Sequence, residues 1–325
     1  MSGLGAYLRN ALYRAPALIG MVCLFAAAAA GGDDVRVLIP ARGRPATPRA
    51  DFRIESDLVL VPVSVTDSRN HTVIGLERNA FRLFENQTEQ QIVQFAREDA
   101  PLSVGIVFDM SGSMTGKLQK SREAVTQFLH FANPADEFFL VSFRSRPRVA
   151  VPFTGDTSAI QNELLRAEPK GTTALLDAVC LAMDYMRHAR YSRRALLILS
   201  DGGDNNSRYS RAEIRDRVRE ADLWIYAVGL YDPARSDAPR EIAGGRKLME
   251  ALAEESGGRE FAVPLPIDLP MVAARISVEL RNQYVLGYRP SNPLRDGKYR
   301  QVHVSVVDGR RLNVASRPGY YAAGE

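Results

Sequence analysis

Apolar positions along the chain follow two rhythms. Residues 58–66, 80–84 and 91–95 are rich in Val, Ile, Leu and Phe, and turn-forming polar residues at 67–70 and 85–87 separate them, which predicts three antiparallel strands. Beyond Pro101, near-continuous apolar runs at 104–108, 138–143, 195–199 and 223–228 alternate with helical patterns at 117–131, 157–166, 174–189, 211–221 and 247–255. Strands that are apolar on both faces and separated by helices predict a doubly wound, Rossmann-like α/β unit with a mainly parallel sheet. A further helix is expected over 269–281, and strand patterns return at 284–288, 299–307 and 312–315, with Asp296-Gly297 and Asp308-Gly309 read as hairpin turns. Three strands ahead of the α/β unit and three behind it are each a marginal sheet alone. Chain economy favours one β-sandwich with the α/β unit inserted into it; two separate small sheets are the alternative. The expected segments are therefore 51–100 and 283–325 for the β part and 101–282 for the α/β part.

The first 30 residues follow neither rhythm. Arg9 and Arg14, with no acidic residue, precede an apolar run of 16 residues, 15–30, that ends in small side chains, the pattern of an export signal cut near Ala30. A membrane anchor is the alternative, and the run is short of the roughly 20 residues that a spanning helix needs. Val22 before Cys23 fits a lipoprotein signal poorly. Residues 31–50 hold Pro40, Pro45 and Pro48 with four arginines and few large apolar side chains, too little to bury, so a disordered linker is expected. Membrane association then depends on the leader remaining attached, and the mature protein is expected in the periplasm, in the cell envelope or outside the cell.

Composition changes this picture little. The chain has 325 residues, 46% apolar and 25% charged, which excludes a largely disordered, collagen-like or polytopic membrane protein. Lysine and arginine exceed the acids by only four, without a concentrated basic stripe, so nucleic acid is not an expected partner. Cys23 and Cys180 are too few for a disulfide framework.

Candidate chemistry gathers at strand ends. Asp109-Met110-Ser111-Gly112-Ser113 closes the first core strand, Gly171-Thr172-Thr173 precedes a helix, and Asp201-Gly202-Gly203 follows a strand. The carboxyl edge of a parallel sheet is where ligands collect, so Asp109, Ser111, Ser113, one of the two threonines and Asp201 can converge. Oxygen donors without histidine or thiolate suit Mg²⁺, with Mn²⁺ or Ca²⁺ as alternatives, and disfavour zinc and copper. Only two of the five donors are anionic, so a bound ion stays strongly electrophilic where one carboxylate binds through water, and it then has reason to recruit a carboxylate from another molecule. The pattern reads as adhesive rather than catalytic. A cell-envelope component whose ion merely staples loops is the second reading, and a metal-assisted hydrolase, which lacks a candidate base beside the ion, is the third.

These residues resemble the metal-ion-dependent adhesion site of von Willebrand factor type A domains over roughly 102–281. The resemblance makes Asp109, Ser111 and Ser113 the Asp-x-Ser-x-Ser motif, Thr173 the threonine of the second loop and Asp201 the aspartate of the third. Thr172 falls where the family pattern has glycine more often. It implies a bound Mg²⁺, a protein partner offering a Glu or Asp carboxylate, and a final helix, 269–281, that shifts when the site is filled. The flanks, including 58–67, 281–290 and 317–321, resemble the VWFA-related subfamily first defined on acidobacterial proteins.

Several other features carry no such chemistry. Gly112 to Lys117 superficially resembles a phosphate loop, but it has one residue too few between its glycines and Leu118 where Ser or Thr is needed, so no nucleotide is expected. His71, His130, His188 and His303 lack metal spacing, no Gly-x-Ser-x-Gly elbow occurs, and Asp204 to Ser207 fails the EF-hand pattern and reads as a solvated turn. Cys180 reads as a buried small residue rather than a reactive thiol.

Overall fold

The computed structural model describes residues 58–97, 100–231, 239–308, 310–322 and 324, so the expected leader, 1–30, and linker, 31–50, lie outside the described residues. The chain order is β1 (Val59–Thr66), β2 (Phe81–Glu85), β3 (Thr88–Gln90), β4 (Ile92–Arg97), β5 (Ser103–Asp109), α1 (Leu118–His130), β6 (Glu137–Phe143), β7 (Arg148–Thr154) and α2 (Thr157–Leu165). It continues with α3 (Leu175–Tyr185), β8 (Arg194–Ser200), α4 (Arg211–Glu220), β9 (Trp224–Leu230), α5 (Pro239–Ser256), β10 (Arg259–Val263) and α6 (Leu269–Arg281). The last strands are β11 (Tyr284–Tyr288), β12 (Tyr299–Val306), β13 (Asn313–Ser316) and β14 (Gly319–Tyr321). Among the described residues no helix is long and apolar enough to cross a membrane.

The central sheet has the order β10-β9-β8-β5-β6-β7, all parallel except β7, which is an antiparallel edge. Its inner strands are buried on both faces, and side chains of β5 alternate between them. Val104, Ile106 and Phe108 pack with α1 and α6, whereas Val107 packs with α3, α4 and α5. Gly105 belongs to the second face, and a methyl there would lie 2.3 Å from the Phe139 ring. The chain steps from β5 to β6 on one side and later places β8 on the other. β5 is thus the switch point of the sheet, and the crevice beyond its carboxyl end is the natural binding place in such folds.

Strands from before and after this unit interleave in two antiparallel sheets, β13-β1-β11-β4 and β14-β12-β2-β3. β1 takes both neighbours from the far end of the chain, with Val61 opposite Leu286 and Ser64 opposite Ala315. The sheets enclose Val61, Val63, Val65, Phe81, Leu83, Tyr284, Leu286, Val302 and Val304 in one apolar core, the sandwich expected from chain economy. Its buried phenols are satisfied: Tyr284 Oη donates to the Val73 carbonyl at 3.0 Å and Tyr288 Oη to Glu85 at 2.7 Å. Arg259 ties sandwich to α/β unit, bonding Glu279 at 2.6 Å and Asn70 at 3.0 Å.

Three expectations need correction. Neither Asp296-Gly297 nor Asp308-Gly309 is a hairpin turn, because β11 and β13 lie in one sheet and β12 in the other; both connections cross the sandwich, and Gly309 itself lies outside the described residues. Four strands escaped the pattern. β3 and β14 have three residues each, β10 is a short edge, and β7 contains Pro152, which an edge strand tolerates. Helix α5 begins at Pro239 rather than 247, running through Gly244 and Gly245, a pair whose low helix propensity marked a boundary.

Candidate metal centre

β5 ends at Asp109, which has no exposed surface. Its Oδ1 accepts the Ser111 N–H at 2.8 Å and its Oδ2 accepts the Ser200 hydroxyl at 2.6 Å. Burial pushes this carboxyl up to about 6; the bonds from Ser111 and Ser200 oppose the rise, and the nearby charge of Asp201 adds to it. The chain then enters a 3₁₀ turn, Gly112–Met114, that brings the Ser111 and Ser113 hydroxyl oxygens to 3.0 Å from each other.

The second and third loops close on the first through backbone contacts. Gly112 N–H donates to the Gly171 carbonyl at 3.1 Å. Thr173 is buried, donates its N–H to Asn205 Oδ1 at 2.9 Å, and accepts the Asn205 and Asn206 N–H groups on its carbonyl at 3.0 Å. Asp201 Oδ1 accepts the Gly203 N–H at 3.3 Å, and a methyl placed on Gly203 would lie 3.3 Å from that oxygen and 3.9 Å from Thr173 Oγ1, so a side chain there would crowd both. Thr172, in contrast, is exposed and spends its hydroxyl on Ser145 Oγ at 2.9 Å. Of the pair, Thr173 is the one the fold turns toward Asp201.

Some participants gave no signal in the sequence. Ser200 lies just past the apolar run 195–199, and nothing in that run signals its bond to Asp109. Lys117, set aside with the broken phosphate loop, sends its ammonium to 3.4 Å from Asp201 Oδ2, with side chains only 10% and 12% exposed. Residues 204–207 are more than a solvated turn: Asp204 Oδ1 accepts the Leu175 N–H at 2.9 Å at the start of α3, and Asn206 Nδ2 donates to the Ser145 carbonyl at 2.7 Å. Behind them Asp177 accepts the Arg208 N–H at 2.9 Å and the Arg208 guanidinium at 3.0 Å, which fastens the third loop to α3. Cys180 is buried, and burial pushes its thiol up, away from the thiolate form.

Among the described residues no group of three or more His, Cys, Asp or Glu side chains gathers. The loops after β5 and β8 and before α3 instead bring two carboxylates and three hydroxyls to one edge of the sheet, donor types that suit a hard divalent cation. Gly203 places no side chain beside Asp201 and Thr173, and the Lys117 ammonium offsets part of the negative charge of Asp201.

Residues 104–203 match the family model of the von Willebrand factor type A domain. Human inter-alpha-trypsin inhibitor heavy chain H4 is 27% identical over 141 residues, which is 39% of this chain and 15% of that protein. A Borreliella burgdorferi protein is 23% identical over 141 residues, covering 40% of this chain and 41% of its own length. The chain thus spans a minor part of the curated relatives it matches. A solved von Willebrand factor type A structure from Catenulispora acidiphila superposes with a TM-score of 0.47 at 13% identity, covering 81% of this chain and 73% of that one. With its strand–helix order about β5 and the family match over 104–203, the chain carries a von Willebrand factor type A domain.

Proposed function

We propose that this is an exported, non-enzymatic protein-binding module of the VWFA-related acidobacterial type. In it Asp109, Ser111, Ser113, Thr173 and Asp201 would hold one divalent cation at a metal-ion-dependent adhesion site. Mg²⁺ is the first choice, with Mn²⁺ or Ca²⁺ as alternatives, and a Glu or Asp of a partner protein would complete its coordination. Domains of this type commonly bind a divalent metal there. The carrying observation is the pair of hydroxyls 3.0 Å apart above buried Asp109, on the rim that Asp201 and Thr173 share. When bound, the ion would supply an electrophilic centre for an anionic oxygen; three of its five protein donors are neutral hydroxyls, and its two carboxylates no more than balance its charge. The likeness to an inhibitor heavy chain supports binding rather than catalysis.

A loop-stapling role for the ion is the second reading. Against it, the three loops are already joined through Gly112 to Gly171 and Thr173 to Asn205, bonds that need no metal. Calorimetric titration of the metal-stripped chain with Mg²⁺ and Mn²⁺, followed by pulldown from envelope extract with and without chelator, tests the proposal. Saturable binding, with capture lost on chelation and the melting temperature little changed, is expected. Melting on chelation supports the staple, and no binding of either ion ends the adhesion reading.

A further inference from the structure

Lys117 is an interior cation in a site built to hold another. It follows Gly116, whose φ of +83° turns the chain, and it stands at the start of α1, where its N–H donates to the Met114 carbonyl at 2.9 Å. From there the side chain reaches across the rim to Asp201 Oδ2 at 3.4 Å, with both partners about nine-tenths buried. A buried ammonium is costly unless it serves a nearby charge. The two acids of the site are Asp109 and Asp201, and Asp109 is already satisfied by Ser111 and Ser200.

Counting charges shows what the ammonium does to the loaded site. Two carboxylates balance a divalent ion, and Lys117 adds one positive charge in a place where water screens poorly. A neutral ligand such as an amide or hydroxyl leaves that charge uncompensated, whereas a carboxylate cancels it. Resting on the metal-dependent reading above, we propose that Lys117 is the specificity-determining residue of this rim. It weakens the cation's hold on the two aspartates and makes the loaded site select a carboxylate-bearing partner over a neutral one. The same residue holds Asp201 in place before an ion arrives, which keeps the metal-free rim ordered.

The test compares wild type with Lys117→Met, which keeps the stem and removes the charge, and with Lys117→Arg, which keeps the charge. Mn²⁺ and Mg²⁺ are titrated into each metal-stripped protein by calorimetry. Acetate and acetamide are then titrated into the Mg²⁺-loaded, isotope-labelled proteins, with the amide signals of Gly112, Thr173 and Gly203 as readouts. Lys117→Met is expected to bind both ions at least ~10-fold more tightly and to lose most of its preference for acetate over acetamide, while Lys117→Arg retains the wild-type order. A purely structural lysine would lower the melting temperature without tightening metal binding. If Lys117→Met binds the ions no more tightly than wild type, or keeps the acetate preference, the assignment of Lys117 is overturned while the metal site stands. If wild type binds neither ion, metal site and assignment fall together.

Discussion

Gly202 and Gly245 meet backbone to backbone. A methyl built on Gly202 would lie 2.6 Å from the Gly245 carbonyl carbon, and one built on Gly245 would lie 2.8 Å from Gly202 O and 3.1 Å from Asp201 O. Gly202 also holds a φ of +78°, which other residues adopt only with strain. Helix α5 therefore rests directly on the loop that carries Asp201, with no side chain between them.

This contact reverses an ordinary rule. Replacing a helical glycine by alanine usually stabilises by about 0.5–1 kcal/mol, and Gly244→Ala should do so, because its methyl would meet nothing nearer than Arg211 at 4.0 Å. Gly245→Ala should instead destabilise by about 1–3 kcal/mol through overpacking and weaken Mg²⁺ binding by displacing Asp201. Urea denaturation of the two neighbours side by side checks the sign; equal effects would refute the contact.

The two threonines give a second contrast. Thr173→Ala should lower Mg²⁺ affinity by about tenfold or more, the order of one lost ion-polarised contact of 1.4 kcal/mol, whereas Thr172→Ala removes a hydroxyl bonded to Ser145 and should leave affinity within about twofold. Calorimetry on both variants decides between them, and the reverse order would move the site.

Acid should loosen the third loop through Asp177. Burial alone would raise this carboxyl, but the Arg208 backbone and guanidinium together with the Tyr209 N–H outweigh it and hold it below its ordinary 3.8. A depressed carboxyl stabilises the fold above its unfolded value and loses that contribution as pH falls through the folded one. Asp177→Asn should therefore cost about 1–3 kcal/mol at pH 7, and the gap from wild type should close only below a pH of 3.8. Urea midpoints of both proteins across pH 7 to 3 measure this; a gap that stays constant would show that the charge of Asp177 is immaterial.

Helix α6 packs along α1. Ser277 Oγ donates to the Phe128 carbonyl at 3.1 Å, Arg281 Nε donates to the Phe131 carbonyl at 2.9 Å, and Ile276 and Leu280 share a core with Val125 and Phe128. Since α1 begins just past Ser113, loading the chain with Mg²⁺ and acetate should alter amide exchange in Leu269–Arg281. Unchanged protection there would rule out a moving final helix.

What the sequence disclosed followed from how strongly each element is dictated locally. β5, β6, β8 and β9 are apolar on both faces and were visible as runs, and α6 matched its pattern at both ends, Leu269 and Arg281. The strand ends that carry Asp109 and lead into Asp201 were legible for the same reason, because β5 and β8 are apolar runs that stop there. Elements decided by distant partners were not: α5 continues through its glycines because Gly245 packs on Gly202, and β14 forms because β12 is there to pair with it. Ser200 and Lys117 belong to this second kind, since what they do depends on atoms 91 and 84 residues away.

The interleaving of early and late strands imposes an order of assembly. The six-stranded unit owns all of its strands and can close as soon as α6 leaves the ribosome, but β1 has no partner strand until β11 and β13 arrive. A nascent chain therefore carries a finished α/β head on an unzipped base. Loss of the final dozen or so described residues would strip β13 and β14 from the two sheets and leave the head intact on a frayed support.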